Sequence, residues 1–331
     1  MILTVTLNPC LDKSLFVERN VPIETLRAAR VVDLAGGKGV NVARALAGLG
    51  EPALALLPLG GPPGAQTADL ARREGLAPIV VPIAGRTRTA LTIREESTGS
   101  YWHYLEPGPE WDPADSERLR QAYQTAVERC ELVAISGSLP GAPAEPLLAW
   151  MVETGRALGR RVALDSHGAG LRVGLAARPW LVKPNREELS ALRGRPLDDA
   201  DAAWQAVRAI AASGVAVVLL SAGPGPLLAS WVGEEWEALP PPVEPVNALG
   251  SGDSLVAGVL AAVRRGLPPP EALRWGVACG AANAAVWDPG GIRRADVERL
   301  LPGVTLRRVS HPGRPPRPST AGTRTLPRFD P

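Results

Sequence analysis

From about residue 116 the chain alternates between stretches of helical period and short apolar runs. A helical pattern over 116–129 leads to Leu132–Ile135, 143–158 to Arg161–Leu164, 169–176 to Trp180–Lys183, and 198–213 to Val215–Leu220. The apolar runs are too short for helices and rich in aliphatic residues, so they read as strands. Strands joined through helices form a parallel sheet, and continuous apolar strands need cover on both faces. The expected fold class is therefore α/β with a doubly wound, mainly parallel sheet. Each strand gives way to a small or polar loop: Ser136-Gly137-Ser138-Leu139-Pro140, Asp165-Ser166-His167-Gly168, Lys183-Pro184-Asn185 or Ser221-Ala222-Gly223. In open sheets of this kind, ligands bind outside that edge.

The N-terminal third reads differently. Ile2–Leu7 is a strand ending at Asn8-Pro9, and Asp12 lies just past it, either a turn aspartate or a ligand for hydroxyls. Ser14–Glu18 and Arg30–Leu34 are short strands. Thr87–Glu95 and Ser100–Leu105 alternate and are split by a Ser97-Thr98-Gly99-Ser100 turn, a hairpin signal, with Arg86 and Arg88 at its start. These four segments are expected to form a small sheet apart from the main one. Leu227–Val232 and Glu235–Leu239 form a further hairpin.

Two glycine clusters each open an apolar helix. One is Gly36-Gly37-Lys38-Gly39-Val40-Asn41, and the other is Gly250-Ser251-Gly252-Asp253-Ser254 before the run Val256–Val263. A helix N-terminus presents unpaired N–H groups that favour an anion, and glycine lets the backbone come close to it. Neither is a Walker A loop, which needs another spacing and a Lys-Ser/Thr pair. Asp253 is the odd member, because a carboxylate repels an anion unless it takes a proton or binds a metal. Ser and Asp at this position also serve as simple helix caps.

Composition narrows the class. The chain of 331 residues is 45% hydrophobic with a net charge of +2, so nothing global points to nucleic acid or an anionic membrane. Cys10, Cys130 and Cys279 are scattered and odd in number, which suits a reducing compartment, and a cytoplasmic location is expected. No run of 18 apolar residues is present, and the apolar start lacks the basic residues and cleavage site of a signal peptide. Lys13, Lys38 and Lys183 are the only lysines among 36 basic side chains, and two of them fall in the loops just described. A compact ammonium and a guanidinium are not equivalent at a crowded phosphate.

Taken in order, Thr6-Leu7-Asn8-Pro9 with Asp12, Gly36-Gly37-Lys38-Gly39-Val40-Asn41-Val42-Ala43, Ser136-Gly137-Ser138-Leu139-Pro140, Lys183-Pro184-Asn185 and Gly250-Ser251-Gly252-Asp253-Ser254 resemble the ribokinase-like (PfkB) carbohydrate kinases. Within them the match is to the phosphosugar branch of 1-phosphofructokinase and tagatose-6-phosphate kinase. The resemblance implies a kinase domain over residues 1–306, with a small β-sheet lid from about 12–35 and 86–106, and a homodimer through that lid. Residues 307–331, rich in Pro and Arg, fall outside it and are expected to be disordered.

The resemblance also implies roles. Asp253 would be the general base, and the N–H groups of Gly250, Ser251 and Gly252 an anion hole for the transferring phosphoryl. Asp12, Gly37, Lys38, Asn41 and Arg88 would face a phosphorylated ketohexose. Lys183, Asn185, Ser221, Gly223, Gly225 and Asn283 would line the ATP site, with Asn185 and Glu188 positioning Mg²⁺ largely through water. Pro226 stands where the family has a second glycine after Ser221, and the nearest glycine is Gly225. The expected reaction is phosphorylation of fructose 1-phosphate at its 6-hydroxyl, with tagatose 6-phosphate or fructose 6-phosphate as the alternative. A non-catalytic sugar-phosphate sensor is the reading from another class. A nicotinamide dehydrogenase is disfavoured, since no Gly-x-Gly-x-x-Gly follows the first strand.

Overall fold

In the computed structural model, which describes residues 1–309, the chain enters at β1 (Ile2–Val5) and passes to β2 (Cys10–Val17) and β3 (Arg30–Gly36). Helix α1 (Lys38–Gly48), β4 (Ala53–Leu59), α2 (Gly61–Arg73) and β5 (Pro78–Pro82) follow, then β6 (Arg88–Glu95) and β7 (Tyr101–Leu105). The alternation continues through α3 (Pro113–Val127), β8 (Leu132–Ser136), α4 (Ala144–Ala157), β9 (Arg161–Asp165), α5 (Gly168–Ala176), β10 (Leu181–Val182), α6 (Arg186–Arg193), α7 (Ala200–Ala212) and β11 (Val217–Leu220). The last part holds β12 (Leu227–Trp231), β13 (Glu234–Leu239), α8 (Ser251–Arg264), α9 (Pro269–Ala284), α10 (Arg294–Leu300), a 3-10 turn over Leu301–Gly303 and β14 (Thr305–Arg308).

Ten strands form the main sheet in the order β14-β13-β12-β11-β10-β9-β8-β1-β4-β5. Pairing is parallel from β5 to β11 and antiparallel from β11 to β14. The chain moves outward from β1 through β4 and β5, then returns to β8 on the other side of β1. The order therefore reverses between β1 and β8, and a crevice opens there beyond the strand ends.

Strand side chains alternate between faces. Leu3, Val5, Val133, Ile135, Val162 and Leu164 pack with Leu119, Tyr123, Met151 and Val207 of α3, α4 and α7. Ile2, Leu132, Ala134, Ala163 and Leu219 pack with Leu46, Val256, Leu260 and Leu273 of α1, α8 and α9. Each fully buried Leu or Ile adds about 1.5–3 kcal/mol. These two cores hold rigid the strand ends that carry the site.

A four-stranded sheet, ordered β3-β2-β6-β7, stands apart. The register puts Asp12, Ser14, Phe16, Thr92, Arg94 and His103 on one face and Lys13, Leu15, Leu91, Ile93, Trp102 and Tyr104 on the other. The first face meets the main body. Phe16 lies 5.1 Å from the Trp287 ring and the Arg94 guanidinium 4.7 Å from it, while Arg94 also reaches the Val246 carbonyl at 3.5 Å.

Several boundaries differ from expectation. Asp12 lies within β2, because Cys10 and Leu11 already pair with Gly36 and Ala35. Residues 186–193, where no helix was expected, form α6, started by a cap at Asn185. Arg307 and Arg308, expected to open a disordered tail, end β14, where they pair with Glu237 and Glu234 of β13. The rest of that expected tail, 310–331, lies outside the described residues.

Candidate active site

The loop before α8 is clamped from three sides. Asn247 accepts from the Leu249 N–H (3.0 Å) and donates to the Trp287 carbonyl (2.8 Å). Asn283 of α9, fully buried, donates to the Leu249 carbonyl (2.7 Å) and the Ser251 hydroxyl (3.2 Å). Its own carbonyl accepts from Ser254 Oγ (3.1 Å) and the Gly290 N–H (2.6 Å). Asn283 was expected at the nucleotide. Its burial and spent hydrogen-bonding capacity make it the peg that shapes this loop instead.

Gly250 takes φ +81°, and a β-carbon there would stand 2.7 Å from Pro289 Cβ. The turn it closes brings the Ser251 N–H onto the Ala248 carbonyl (3.2 Å). Ser251 is thus not the free donor expected of it. The Gly252 and Asp253 N–H groups, in the first turn of α8, have no partner among the described residues. A side chain at 252 would meet Lys183 Nζ at 3.0 Å, so the ammonium rests against the bare backbone of that turn.

Asp253 is 3% exposed, and its Oδ2 accepts from Asn41 Nδ2 of α1 at 2.8 Å. Burial, with Asp165 adding negative charge, pushes its carboxyl up to about 6, against the pull of Lys38, Asn41 and Lys183. Asp165, at the end of β9 and 1% exposed, sits between the two lysines: Lys38 Nζ is 3.5 Å from Oδ1 and Lys183 Nζ 3.3 Å from Oδ2. Burial alone would raise the Asp165 carboxyl, but the two ammoniums outweigh it and hold it below its ordinary value. Lys38 also reaches Glu188 Oε1 at 3.3 Å. Asp165, overcoming the opposing effect of burial, holds the Lys38 ammonium charged well above its ordinary range, with Asp253 and Glu188 adding.

Lys38 was expected to face the substrate or its phosphate. The structure turns it toward Asp165 and Glu188, the nearest anions, and so to the middle of the site. Asn41, expected to face the substrate, spends its amide on Asp253 and on Arg44, whose Nη1 donates to Asn41 Oδ1 at 2.9 Å.

At one end lie Asp12, Gly37 and Arg88. Gly37 caps α1 with φ +116°, and a β-carbon at its neighbour Gly36 would touch Asp12 Cβ at 2.8 Å, which places Asp12 over the start of α1. Burial, with Asp288 adding, raises the Asp12 carboxyl against the pull of His103, Arg44 and Arg88. Arg88 Nη2 donates to the Asn8 carbonyl (3.1 Å), and its buried Nε has no hydrogen-bond partner among the described residues.

At the other end, Asn185 and Glu188 form a capping box on α6. Glu188 N–H donates to Asn185 Oδ1 (2.7 Å) and Asn185 N–H to Glu188 Oε2 (2.9 Å). The other carboxylate oxygen of Glu188, Oε1, accepts from Lys38. Ser221 bridges to Asn185 across the ends of β10 and β11. Gly223 (φ +58°) and Gly225 follow in an exposed turn closed by Gly225 N–H to Ala222 O at 2.9 Å.

The structure thus gathers Asp12, Gly37, Lys38, Asn41, Arg88, Lys183, Asn185, Glu188, Ser221 and the α8 N-terminus along one edge of the sheet. Asp165 and Arg44 escaped the sequence reading. The only signal for Asp165 was its place at a strand end. Arg44 offered none beyond its helical spacing from Asn41.

Donor N–H groups, two ammoniums and a carboxylate poised near neutrality, set under a second sheet at the switch point of a doubly wound fold, describe a ribokinase-like kinase architecture. The chain belongs to the pfkB family of carbohydrate kinases, whose sequence model matches residues 5–288. It is 33% identical to the ATP-dependent 6-phosphofructokinase isozyme 2 of Escherichia coli over 85% of this chain and 91% of that one. It is 35% identical to a 1-phosphofructokinase of Xanthomonas campestris pv. campestris over 79% and 83%. Among solved structures, phosphofructokinase-2 from Escherichia coli matches with a TM-score of 0.84 at 31% identity, covering 91% of this chain and 98% of that one. The chain is a sugar-phosphate kinase, a phosphotransferase with an alcohol acceptor and ATP as donor. No helix among the described residues is long and apolar enough to cross a membrane.

Proposed function

We propose that the chain phosphorylates fructose 1-phosphate at its 6-hydroxyl to give fructose 1,6-bisphosphate, with Asp253 as general base. The observation that carries the mechanism is a buried carboxylate pushed up to about 6, in the first turn of a helix where the Gly252 and Asp253 N–H groups have no partner among the described residues. A base with a value near working pH is ionised yet still basic enough to accept a proton. The substrate hydroxyl gives its proton to Asp253, and its oxygen forms a bond to the γ-phosphorus. The bond from that phosphorus to the bridging oxygen breaks, and ADP carries away the electron pair.

The Gly250 and Gly252 N–H groups, with that of Asp253, stabilise the charge on the transferring oxygens. Lys183, resting against the Gly252 backbone, and Lys38 add positive charge beside those donors. Asp12 orients sugar hydroxyls, and Arg88 pairs with the sugar phosphate through the edge that carries its unpartnered Nε. Ser221, Gly223 and Gly225 line the nucleotide.

Magnesium fits one corner. Glu188 Oε1 and the Asn185 amide would hold it through water, where it would neutralise the nucleotide's phosphates. The described residues contain no cluster of three or more acidic, Cys or His side chains suited to a metal. Such a sparse donor set suits an ion that keeps its waters and rides on phosphate oxygens.

The small sheet acts as the lid that excludes water. Its outer face, with Leu15, Val31, Leu91, Ile93, Trp102 and Tyr104, is the contact of a homodimer.

Fructose 6-phosphate is the second reading. The Escherichia coli relative is named a 6-phosphofructokinase, and its structure is known in complex with fructose-6-phosphate (TM-score 0.82).

The deciding assay follows ADP release from Mg-ATP with fructose 1-phosphate, fructose 6-phosphate, tagatose 6-phosphate, fructose and ribose, beside Asp253→Asn. Preference for fructose 1-phosphate is expected. Preference for another phosphosugar keeps the mechanism and changes the substrate. Preference for a neutral sugar overturns the role of Arg88, and no turnover on any favours the sensor.

A further inference from the structure

We infer that Arg44 is a positioning residue: by holding the Asn41 carbonyl it turns the Asn41 NH₂ onto Asp253 and so fixes the base. The inference rests on the reading of Asp253 as that base.

Arg44 follows Asn41 by three residues on α1, so the two side chains share a face. The Arg44 side chain is 11% exposed and its donors are fully committed. Nε donates to Glu74 Oε2 (2.8 Å), just past α2. Nη1 donates to Asn41 Oδ1 (2.9 Å) and the Pro289 carbonyl (2.5 Å), and Nη2 to the Ala35 carbonyl of β3 (2.5 Å) and Glu74 Oε2 (2.7 Å). Glu74 in turn accepts from the Ala35 N–H at 3.0 Å. The guanidinium is therefore locked by α2, by the root of the small sheet and by the loop after α9.

A guanidinium has donors and no acceptor. Whatever end of the Asn41 amide faces Arg44 must be its oxygen, and the other end, which meets Asp253, must be the NH₂. A donor on Asp253 favours its ionised form. Without Arg44 the amide is free to turn over. Its oxygen then faces the carboxylate, an arrangement satisfied only when Asp253 carries a proton. The charged groups around Asp253 are Asp165 at the end of β9, Lys38 on α1 and Lys183 past β10. None of them is bonded to Arg44, so the guanidinium acts on the base through the amide.

The test is the pH dependence of kcat/KM, which reports groups of the free enzyme. In Arg44→Met the acid limb is expected to move up by about one pH unit, the size of one lost charge-assisted hydrogen bond. Relative to wild type, activity then falls about fivefold at pH 6 and stays within about twofold at pH 8. A merely structural lesion lowers both alike. In an Asn41→Ala background, Arg44→Met should move the limb no further. Glu74→Gln, which leaves the guanidinium in place, is expected to shift it less and in the same direction. An unmoved limb in Arg44→Met overturns the role, as does an unmoved limb in Glu74→Gln where Arg44→Met fails to fold. Additive shifts with Asn41→Ala also overturn it. Wild-type turnover in Asp253→Asn removes the base itself, and this role with it. A normal loss there, with an unmoved limb in the Arg44 variants, removes this role alone.

Discussion

Burial of Asp253, the proposed base, comes at the expense of stability. Its carboxyl rises from 3.8 unfolded to about 6 folded, chiefly by burial. The folded state therefore holds this proton more tightly. Stability falls as pH rises from about 4 through 6, and the full cost persists above that. Asp253→Asn, which keeps an oxygen for Asn41, should cut kcat by about 10² or more while leaving ATP binding nearly intact. The same variant should be more stable than wild type at pH 8, by up to about 3 kcal/mol, and no more stable at pH 4. Urea unfolding at both pH values checks this, and equal stability at pH 8 would refute the buried-charge account. Asp253 was legible in the sequence because its neighbours, two glycines and a serine before an apolar run, make sense only at a helix start. Asp165 was not, because one acid at a strand end looks like any turn aspartate. Its importance depends on lysines 127 and 18 positions away. Asn283 shows the converse: the sequence gives a polar residue but not the direction it points, and the structure buries it completely.

At the scale of elements, α6 ties folding to ligand binding. Asn185 caps this eight-residue helix and is also proposed to hold the nucleotide corner. Asn185→Ala should therefore lose about 1 kcal/mol of stability and also raise the KM for Mg-ATP. Asn185→Ser restores a capping oxygen without the amide. Its thermal unfolding should be close to wild type while the KM stays raised. A normal KM in Asn185→Ser would limit the residue to capping. The helix was missed in the sequence because two turns are too few to show a period, and the Asn-x-x-Glu spacing that marks a capping box was read as a loop. The longer helices α3, α4 and α7 were placed within three residues at their ends, for they carry three or four turns of apolar spacing. The helical pattern over Gln66–Glu74 falls short of the first residues of α2 because of Pro62 and Pro63, which the structure accommodates at its start.

For the whole molecule, the doubly wound sheet was readable because both its faces are buried and its strands announce this by being apolar throughout. Strand order was not readable, since no local signal says that β1 lies between β8 and β4. The closing of the small sheet on Trp287 depends on residues hundreds of positions apart, and β14 is a strand only because β13 offers it an edge and two glutamates. If the outer face of the small sheet joins two copies, Ile93→Asp should halve the mass seen by sedimentation equilibrium. An unchanged mass would place the contact elsewhere.

The three lysines have one more consequence. Lys38 and Lys183 both lie against Asp165, and Lys13 pairs with Asp33 on the small sheet at 2.6 Å. Reductive methylation with ¹³C-formaldehyde would place isotopic reporters on just these ε-amines and the chain's α-amine. The resulting spectrum of a few resolved peaks would watch the two sides of the crevice and the sheet above it at once, with no engineered label.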